Sequence, residues 1–419
     1  MSTTTLEPPE SRTNTGSRTD GADPFRQKLL DDARLRLEVE LEGVAFDQKA
    51  IGLLSRSVEE EAAGVQPADA GHDGGLQKAF WLQSGIHVGL RQNTRSAYKL
   101  DHRDGVLVLH GPDGLVGEVE LIRRHRVLSR TIGTGERFEQ IGSVNPESGL
   151  RIAFSNECSL KDTNEDCKLC DFNHRARLTQ GASVYLKTPR QVAETYALAR
   201  EEGTANHINL TGGFIPERRE LEYYLDAAEE IRELTGLSKF RGTAVIGAPA
   251  ELSMLEKYKE SGLNSVSINL EIWDKDIFKA ICPGKEKRTG GQAHWVAALE
   301  AAVEVFGRGF VKSNIVAGIE PKESILEGVE YLASKGINCL AGPFQPRVGT
   351  ALEGHRSPET SWHWDLQLKV AQIQHKYGYT TEQIYNCAIP GRVAHDLFRI
   401  LGNEAVDGVL PRWKYPEVQ

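Results

Sequence analysis

Three cysteines, Cys158, Cys167 and Cys170, stand within thirteen residues of a 419-residue chain that holds six cysteines in all. They lie in the stretch NECSLKDTNEDCKLCDFN, residues 156–173, with the spacing C-x8-C-x2-C. A C-x2-C pair turns two thiolates toward one metal centre, and a third at loop distance can close around it. Three thiolates satisfy three irons of a [4Fe–4S] cube and leave the fourth iron open, whereas structural clusters and zinc sites are usually closed by four ligands. Zinc is the competing chemistry. Cys167, Cys170 and His174 form C-x2-C-x3-H, and Cys158 would complete a set of three thiolates and one imidazole.

Composition narrows the setting of these thiols. A net charge of −9 gives no basic footprint for a nucleic-acid binder. Hydrophobic residues make up 39% of the chain, and no uncharged apolar run reaches the ~18 residues of a membrane helix. Residues 1–24 carry neither a secretory h-region nor an acid-free amphipathic pattern, so they read as a disordered leader on a cytoplasmic protein. Clustered thiols in a reducing compartment point to metal or redox chemistry rather than a disulfide framework. The basic cluster at Arg123, Arg124, His125 and Arg126 reads as a solvated strand end.

The elements that must position the cysteines follow from periodicity. Residues 25–62 have apolar residues at helical spacing, including Leu29, Leu30 and Leu35, and predict one or two surface helices. AAGVQPADAGHDGG reads as a linker. From 79 to 135 short alternating runs joined by Gly-Pro-Asp-Gly predict a small antiparallel sheet. From about 150 onward, strands LRIAFS, HINLTGG, FRGTAVIG, SVSINLEI, FVKSNIVAG and INCLAGPFQP alternate with amphipathic helices. Several of these helices end at Gly262, Gly307 or Gly336, as a left-handed C-terminal cap prefers. The alternation predicts an α/β fold, a partial (β/α)6 barrel of parallel strands preceded by a small helical and antiparallel β region. In such barrels ligands sit at the C-terminal ends of the strands. The cysteine loop follows the first strand and falls on that rim.

Three cysteines after the first strand of a βα barrel resemble the radical S-adenosylmethionine superfamily, nearest its biotin synthase-like branch. Four further stretches carry the resemblance, which runs from about 150 to 375: LTGG at 210–213, INLE at 268–271, SNIVAGIEP at 313–321 and FQPRVGTALEG at 344–354. The resemblance implies a [4Fe–4S] cluster on Cys158, Cys167 and Cys170, with S-adenosylmethionine chelating the open iron. An electron from the cluster would cleave that cofactor to a 5′-deoxyadenosyl radical that abstracts hydrogen from substrate. It implies that the backbone of Thr211, Gly212 and Gly213 binds the methionyl amino group, that Asn269 and Glu271 hold the ribose hydroxyls, and that the backbone at Ile315 and Val316 pairs with adenine. The methionyl carboxylate needs a cation, for which CPGKEKR supplies Lys285, Lys287 and Arg288, with Lys285 favoured after the Pro-Gly turn.

Two departures stand out. The family's spacing is commonly C-x3-C-x2-C, and its aromatic residue before the last cysteine is Leu169 here. The sacrificial second cluster of biotin synthase has no ligands in FRGTAVIG, and Lys312 occupies about the corresponding place on the fifth strand. Cys339 reads as a buried hydrophobe, while Cys282 and Cys387 could donate hydrogen or serve an auxiliary cluster. Trp273, Trp295, Trp362 and Trp364 read as core or pocket lining. Substrate choice falls, from position, to Tyr185, Glu320, Gln345, Arg347 and the C-terminal segment; no catalytic residue is assigned.

The expected organisation is a leader at 1–24, a helical and β region at 25–140, the barrel at 141–395 and a tail at 396–419. The expected partners are a small-molecule substrate and a reductant such as flavodoxin or ferredoxin, with no nucleic acid and no membrane. Two other classes stay open: a zinc-stabilised barrel enzyme using Glu271 and Glu320 for acid–base chemistry, and a metal-bound scaffold that binds a partner.

Overall fold

The computed structural model describes residues 23–46, 50, 79–122, 125–145, 149–171, 184–387 and 392–416. Residues 1–22, the expected linker, Arg123, Arg124 and His174 lie outside them.

The chemical half of the molecule is a seven-stranded sheet. Its strands are β7 (Gly142–Val144), β8 (Gly149–Ser155), β9 (His207–Gly212), β10 (Arg241–Ile246), β11 (Ser265–Ile268), β12 (Val311–Ala317) and β13 (Asn338–Pro343), in spatial order β13-β12-β11-β10-β9-β8-β7. Every neighbouring pair from β8 to β13 is parallel, and β7 adds an antiparallel edge. The sheet curls into the half barrel expected from the sequence. Helices make the crossovers: α2 (Pro189–Glu201), α3 (Glu217–Thr235), α4 (Met254–Glu260), α5 (Lys275–Ile281), α6 (Pro283–Arg288), α7 (Gly291–Phe306) and α8 (Lys322–Ser334), and α9 (Thr360–Lys376) follows the last strand. Short α10 (Thr381–Tyr385) and then α11 (Val393–Leu401) follow.

Local chemistry sets these boundaries. Thr188 caps α2 through the Gln191 amide while the Gln191 side chain answers the Thr188 amide, with Pro189 in the first turn. Gly236 ends α3 in the left-handed conformation. In β11 the buried Val266 and Ile268 alternate with Ser265 and Ser267. A parallel strand covered on both faces would read as continuously apolar; the alternation marks a sheet whose inner face is polar.

A second sheet precedes the barrel. It contains β1 (Ala45–Phe46), β2 (Ala79–Trp81), β3 (His87–Gly89), β4 (Lys99–Arg103), β5 (Val106–Gly111) and β6 (Gly114–Leu121), ordered β1-β4-β5-β6-β2-β3. The Pro112-Asp113 turn joins β5 to β6 as the sequence predicts. One strand departs from expectation: β1 comes from the region expected to be helical and pairs parallel with β4.

The N-terminal helix α1 (Pro24–Glu42) also differs from its expected surface setting. Leu29, Ala33 and Leu37, spaced by four, are buried where α1 packs on α11 and α9. Arg36 on the same stripe is 1% exposed and donates to Asp396 of α11 at 2.7 Å and to Glu40 at 2.9 Å. Gln345, beyond β13, donates to the Glu40 carbonyl at 3.1 Å. A buried ion reads as an exposed one in sequence, which is why the stripe looked amphipathic. The boundary expected at 395 falls inside α11. Among the described residues no helix is long and apolar enough to cross a membrane.

Removing one partner of a buried ion pair strands the other charge. Asp396→Ala is therefore expected to lower unfolding free energy by about 3 kcal/mol in urea titration. Joint Arg36→Met and Asp396→Leu replacement should lose much less; equal losses would show that the pair is not what fastens α1.

Candidate active site

The C-terminal ends of β9 to β11 and the loop after β8 surround a cavity of about 240 Å³. Cys158, Cys167 and Cys170 line one wall, and Thr211, Gly212 and Gly213 line the end of β9. Asn269, Glu271 and Lys285 line the side beyond β11. Nine of the eleven residues that the sequence assigns to the cluster and to S-adenosylmethionine thus line one cavity.

The cysteine loop is stitched to the rim by backbone bonds. Ser159 N donates to the Phe214 carbonyl at 2.8 Å, Lys168 N to Ile281 O at 2.9 Å, Gly284 N to Glu165 O at 2.8 Å, and Leu352 N to Lys168 O at 3.2 Å. Gly213 explains one of the glycines: a Cβ there would lie 1.8 Å from the Glu157 carbonyl oxygen and 3.0 Å from the Cys158 Cβ. Only a residue without a side chain lets the β9 end and the cysteine loop meet at this distance. At Gly212 a Cβ would press on the Phe154 ring, 2.7 Å from Cζ.

Charge in the cavity centres on Lys285. Its Nζ donates to the Asn269 carbonyl at 2.7 Å, stands 3.7 Å from Glu271 and lies 4.1 Å from the centre of the Trp295 ring. Burial works against this ammonium, but Glu271 and the thiols of Cys167, Cys282 and Cys170 outweigh it and hold its pKa above the ordinary lysine range. Burial raises the Glu271 pKa, opposed by Lys285. Glu271 takes a left-handed backbone, φ 74°, uncommon for a residue with a side chain and found at functional or strained positions. Asn269 is held by its oxygen, which accepts from Ser267 Oγ at 2.9 Å and Asn314 Nδ2 at 2.8 Å. That fixes which end of the amide is carbonyl and leaves its NH₂ as the group offered to the cavity.

Several expectations meet different surroundings. Lys287 and Arg288, the alternative cations, both pair with Glu165 of the cysteine loop, and the Arg288 hydrogen bond holds Glu165 below the usual carboxylate pKa. CPGK is the start of short helix α6 rather than a Pro-Gly turn. Ile315 and Val316 do not line the cavity, and the Val316 N–H is already donated to the Glu271 carbonyl at 2.8 Å. Glu320 is buried and accepts from Trp273 N, Asp274 N and Ser324 Oγ at 2.7–2.8 Å, so it fastens the start of α5 and does not face a ligand. Gln345 is engaged with α1, Arg347 stands 3.8 Å from Asp171, and Tyr185 is exposed.

Among the other cysteines, Cys282 is buried against Cys167; that thiol contact first, with burial behind it, raises the Cys167 pKa well above normal. Cys339 is buried, and Cys387 donates to the Gly309 carbonyl at 3.4 Å. Sequence reasoning missed Phe214, Glu220, Val245, Ile246 and Gly247 of the lining. Gly247, closing FRGTAVIG, was the readable signal, a second rim glycine one strand on from Gly213.

The donor set fits a four-iron cube. Three thiols line the cavity with the Lys285 ammonium near them, a charge that opposes, without outweighing, the rise that Cys282 and burial impose on Cys167. Among the described residues no three His, Cys, Asp or Glu side chains converge on a point that one ion would fill, while a cube spreads its thiolates over separate corners. His174, the fourth zinc ligand in the alternative, lies outside the described residues.

Gly213→Ala is expected to push the Glu157–Cys158 loop off β9, costing about 1–3 kcal/mol of stability and exposing Cys158. Alkylation of Cys158 by iodoacetamide, read by peptide mass, should speed up while far-ultraviolet dichroism is retained. Unchanged alkylation would show that the close approach is not needed.

Residues 153–332 match the family model for the Radical SAM superfamily. The chain is 31% identical over 243 residues to a bacteriochlorophyllide c C-7(1)-hydroxylase of Chlorobaculum limnaeum, an alignment spanning 54% of this chain and 60% of that protein. Among solved structures, methylornithine synthase aligns over 61% of this chain and 69% of its own at 18% identity, with a TM-score of 0.44. The FeFe-hydrogenase maturase HydG from Carboxydothermus hydrogenoformans aligns over 59% and 58% at 15% identity, with a TM-score of 0.43. The match at residues 153–332 marks a Radical SAM domain within the chain.

Proposed function

We propose that the chain is a radical enzyme acting on a small molecule, with a [4Fe–4S] cluster on Cys158, Cys167 and Cys170 and S-adenosylmethionine in the cavity beside it. The observation that carries this reading is that all three cysteines, the Gly212–Gly213 pair and the Asn269–Glu271 pair line a single cavity. When bound and reduced by an external donor such as flavodoxin or ferredoxin, these groups supply the 5′-deoxyadenosyl radical that takes hydrogen from substrate.

The chain's own residues bind, orient and exclude water. The Thr211–Gly213 backbone offers a close surface to the methionyl amino group, since no side chain intervenes at the two glycines. The Asn269 NH₂ donates to a ribose hydroxyl and the Glu271 carboxylate accepts from one. Lys285 acts mainly as a positioning residue: bonded to Asn269 O and paired with Glu271, it holds the ribose-binding pair in register while its charge favours the nearby thiolates. Leu169, Val245 and Ile246 form a dry wall suited to adenine, in place of the pairing implied for Ile315 and Val316. Trp295 closes the far side over Lys285. The hydroxylase relative, named for attack on one carbon, supports functionalisation of a substrate C–H bond as the outcome.

Iron and sulfide analysis of anaerobically purified protein tests this. About four irons per chain are expected, with a visible charge-transfer band that is absent when Cys158, Cys167 and Cys170 are changed to Ala. One zinc per chain with no iron after reconstitution would overturn the proposal. Asn269→Ala should keep the cluster yet weaken S-adenosylmethionine binding by about tenfold, the loss of one good hydrogen bond to a buried ligand.

A further inference from the structure

Cys282 has no task in the proposed function, although it touches one of the three cysteines. It is 0% exposed and does not line the cavity, so it is not placed to give hydrogen to a substrate there. Two backbone bonds determine what it faces. Lys168 N donates to the Ile281 carbonyl at 2.9 Å and Gly284 N to the Glu165 carbonyl at 2.8 Å, so residues 165–168 and 281–284 pass each other in one antiparallel register. Cys167 is the residue opposite Cys282 in that register. The two segments are tightly apposed: a Cβ built on Gly284 would lie 2.5 Å from the Glu165 carbonyl oxygen and 2.8 Å from Leu160 Cδ2.

The two thiols share a hydrogen bond across this contact. Among the described residues the Cys282 sulfur has no other hydrogen-bond partner. Lys285, whose charge reaches both sulfurs, is an ammonium and accepts nothing. Which sulfur donates therefore depends on what Cys167 carries. In the metal-free chain either thiol has a hydrogen to give. A metal ligand is a thiolate and has none. Once Cys167 is ligated, the shared hydrogen belongs to Cys282 alone.

We propose that Cys282 is a hydrogen-bond donor to the cluster through Cys167: its S–H is given to the ligating sulfur, orients that sulfur and makes the cluster easier to reduce. Outer partners of a metal ligand orient it, and hydrogen bonds to the sulfurs are among the factors that set a cluster's potential. An added electron increases the negative charge on the thiolates, so the donor stabilises the reduced state more than the oxidised one. The potential rises as a result. Cys282 is a positioning residue in this scheme, since it acts through Cys167. The inference rests on the proposed function for the presence of the cluster; the contact between the sulfurs is a property of the two segments.

The test compares the anaerobically reconstituted full chain with Cys282→Ala, Cys282→Val and Cys282→Ser. Iron and sulfide content and far-ultraviolet dichroism are measured on each, and the reduced fraction of the cluster is then read by electron paramagnetic resonance at a series of poised potentials. At the poise that half-reduces the wild-type cluster, Cys282→Ala is expected to show a reduced-to-oxidised ratio about tenfold lower, the loss of one hydrogen bond to a charged sulfur. That ratio corresponds to about 59 mV for one electron. Cys282→Val, which fills the space without a donor, should shift as Ala does, so that a cavity is not mistaken for the lost hydrogen. Cys282→Ser keeps a donor and should stay within about threefold of wild type. Donorless variants that carry full iron and reduce at the wild-type ratio, or a Ser variant that shifts as far as they do, would overturn the donor role and leave the radical reading standing. Wild-type chain that takes up no iron defeats the radical reading, and the donor role with it.

Discussion

The contact between Gly213 and the Glu157 carbonyl is the constraint on which the candidate site depends. The cysteine loop cannot sit over the sheet unless the end of β9 lets it in, and a methyl group at 213 would already overlap it. From that contact the loop is carried around the rim by main-chain bonds to Phe214, Ile281, Gly284 and Leu352. Three separate βα units thus hold one loop, and the eight residues between Cys158 and Cys167 become a fixed span although the spacing alone suggests slack. Rigid support of this kind is what a binding constellation needs when its geometry must be held against a reactive partner.

Charge follows from the same arrangement. A lysine buried without compensation would lose its proton, yet Lys285 keeps its own because the Asn269 carbonyl, Glu271 and three thiols surround it. It serves the carboxylate on one side and the sulfurs on the other. Lys312 is the contrasting case on the next strand, a buried amine whose close charged neighbours are mainly guanidiniums. One fold therefore holds two buried lysines at opposite electrostatic settings, and the difference lies in what faces them.

Much of the fold was legible because βα units punctuate themselves. Apolar runs of strand length, amphipathic helices and glycine stops recur in order, and the six parallel strands lie where their runs stand. The cavity lining at Thr211–Gly213 and Asn269–Glu271 was legible for the same reason: rim residues follow strand ends. What escaped was long-range. Arg36 looks like any charged residue on an exposed helix face, and only its ion pair with Asp396, 360 residues away, makes it core. Lys287 and Arg288 could not be told from Lys285 by type, since Glu165 claims them through the cysteine loop. The Cys167–Cys282 contact joins two loops that share no sequence pattern. Glu320 looked like a rim acid, but its acceptors are filled by the next helix start.

The central claim, that this cavity holds a cluster and S-adenosylmethionine in reacting geometry, is tested most directly by reducing the reconstituted protein in the presence of S-adenosylmethionine and measuring 5′-deoxyadenosine by chromatography. The account predicts its release by the wild-type chain and none above background from the variant lacking the three cysteines. S-Adenosylmethionine left intact by protein that carries its full complement of iron and sulfide would contradict it.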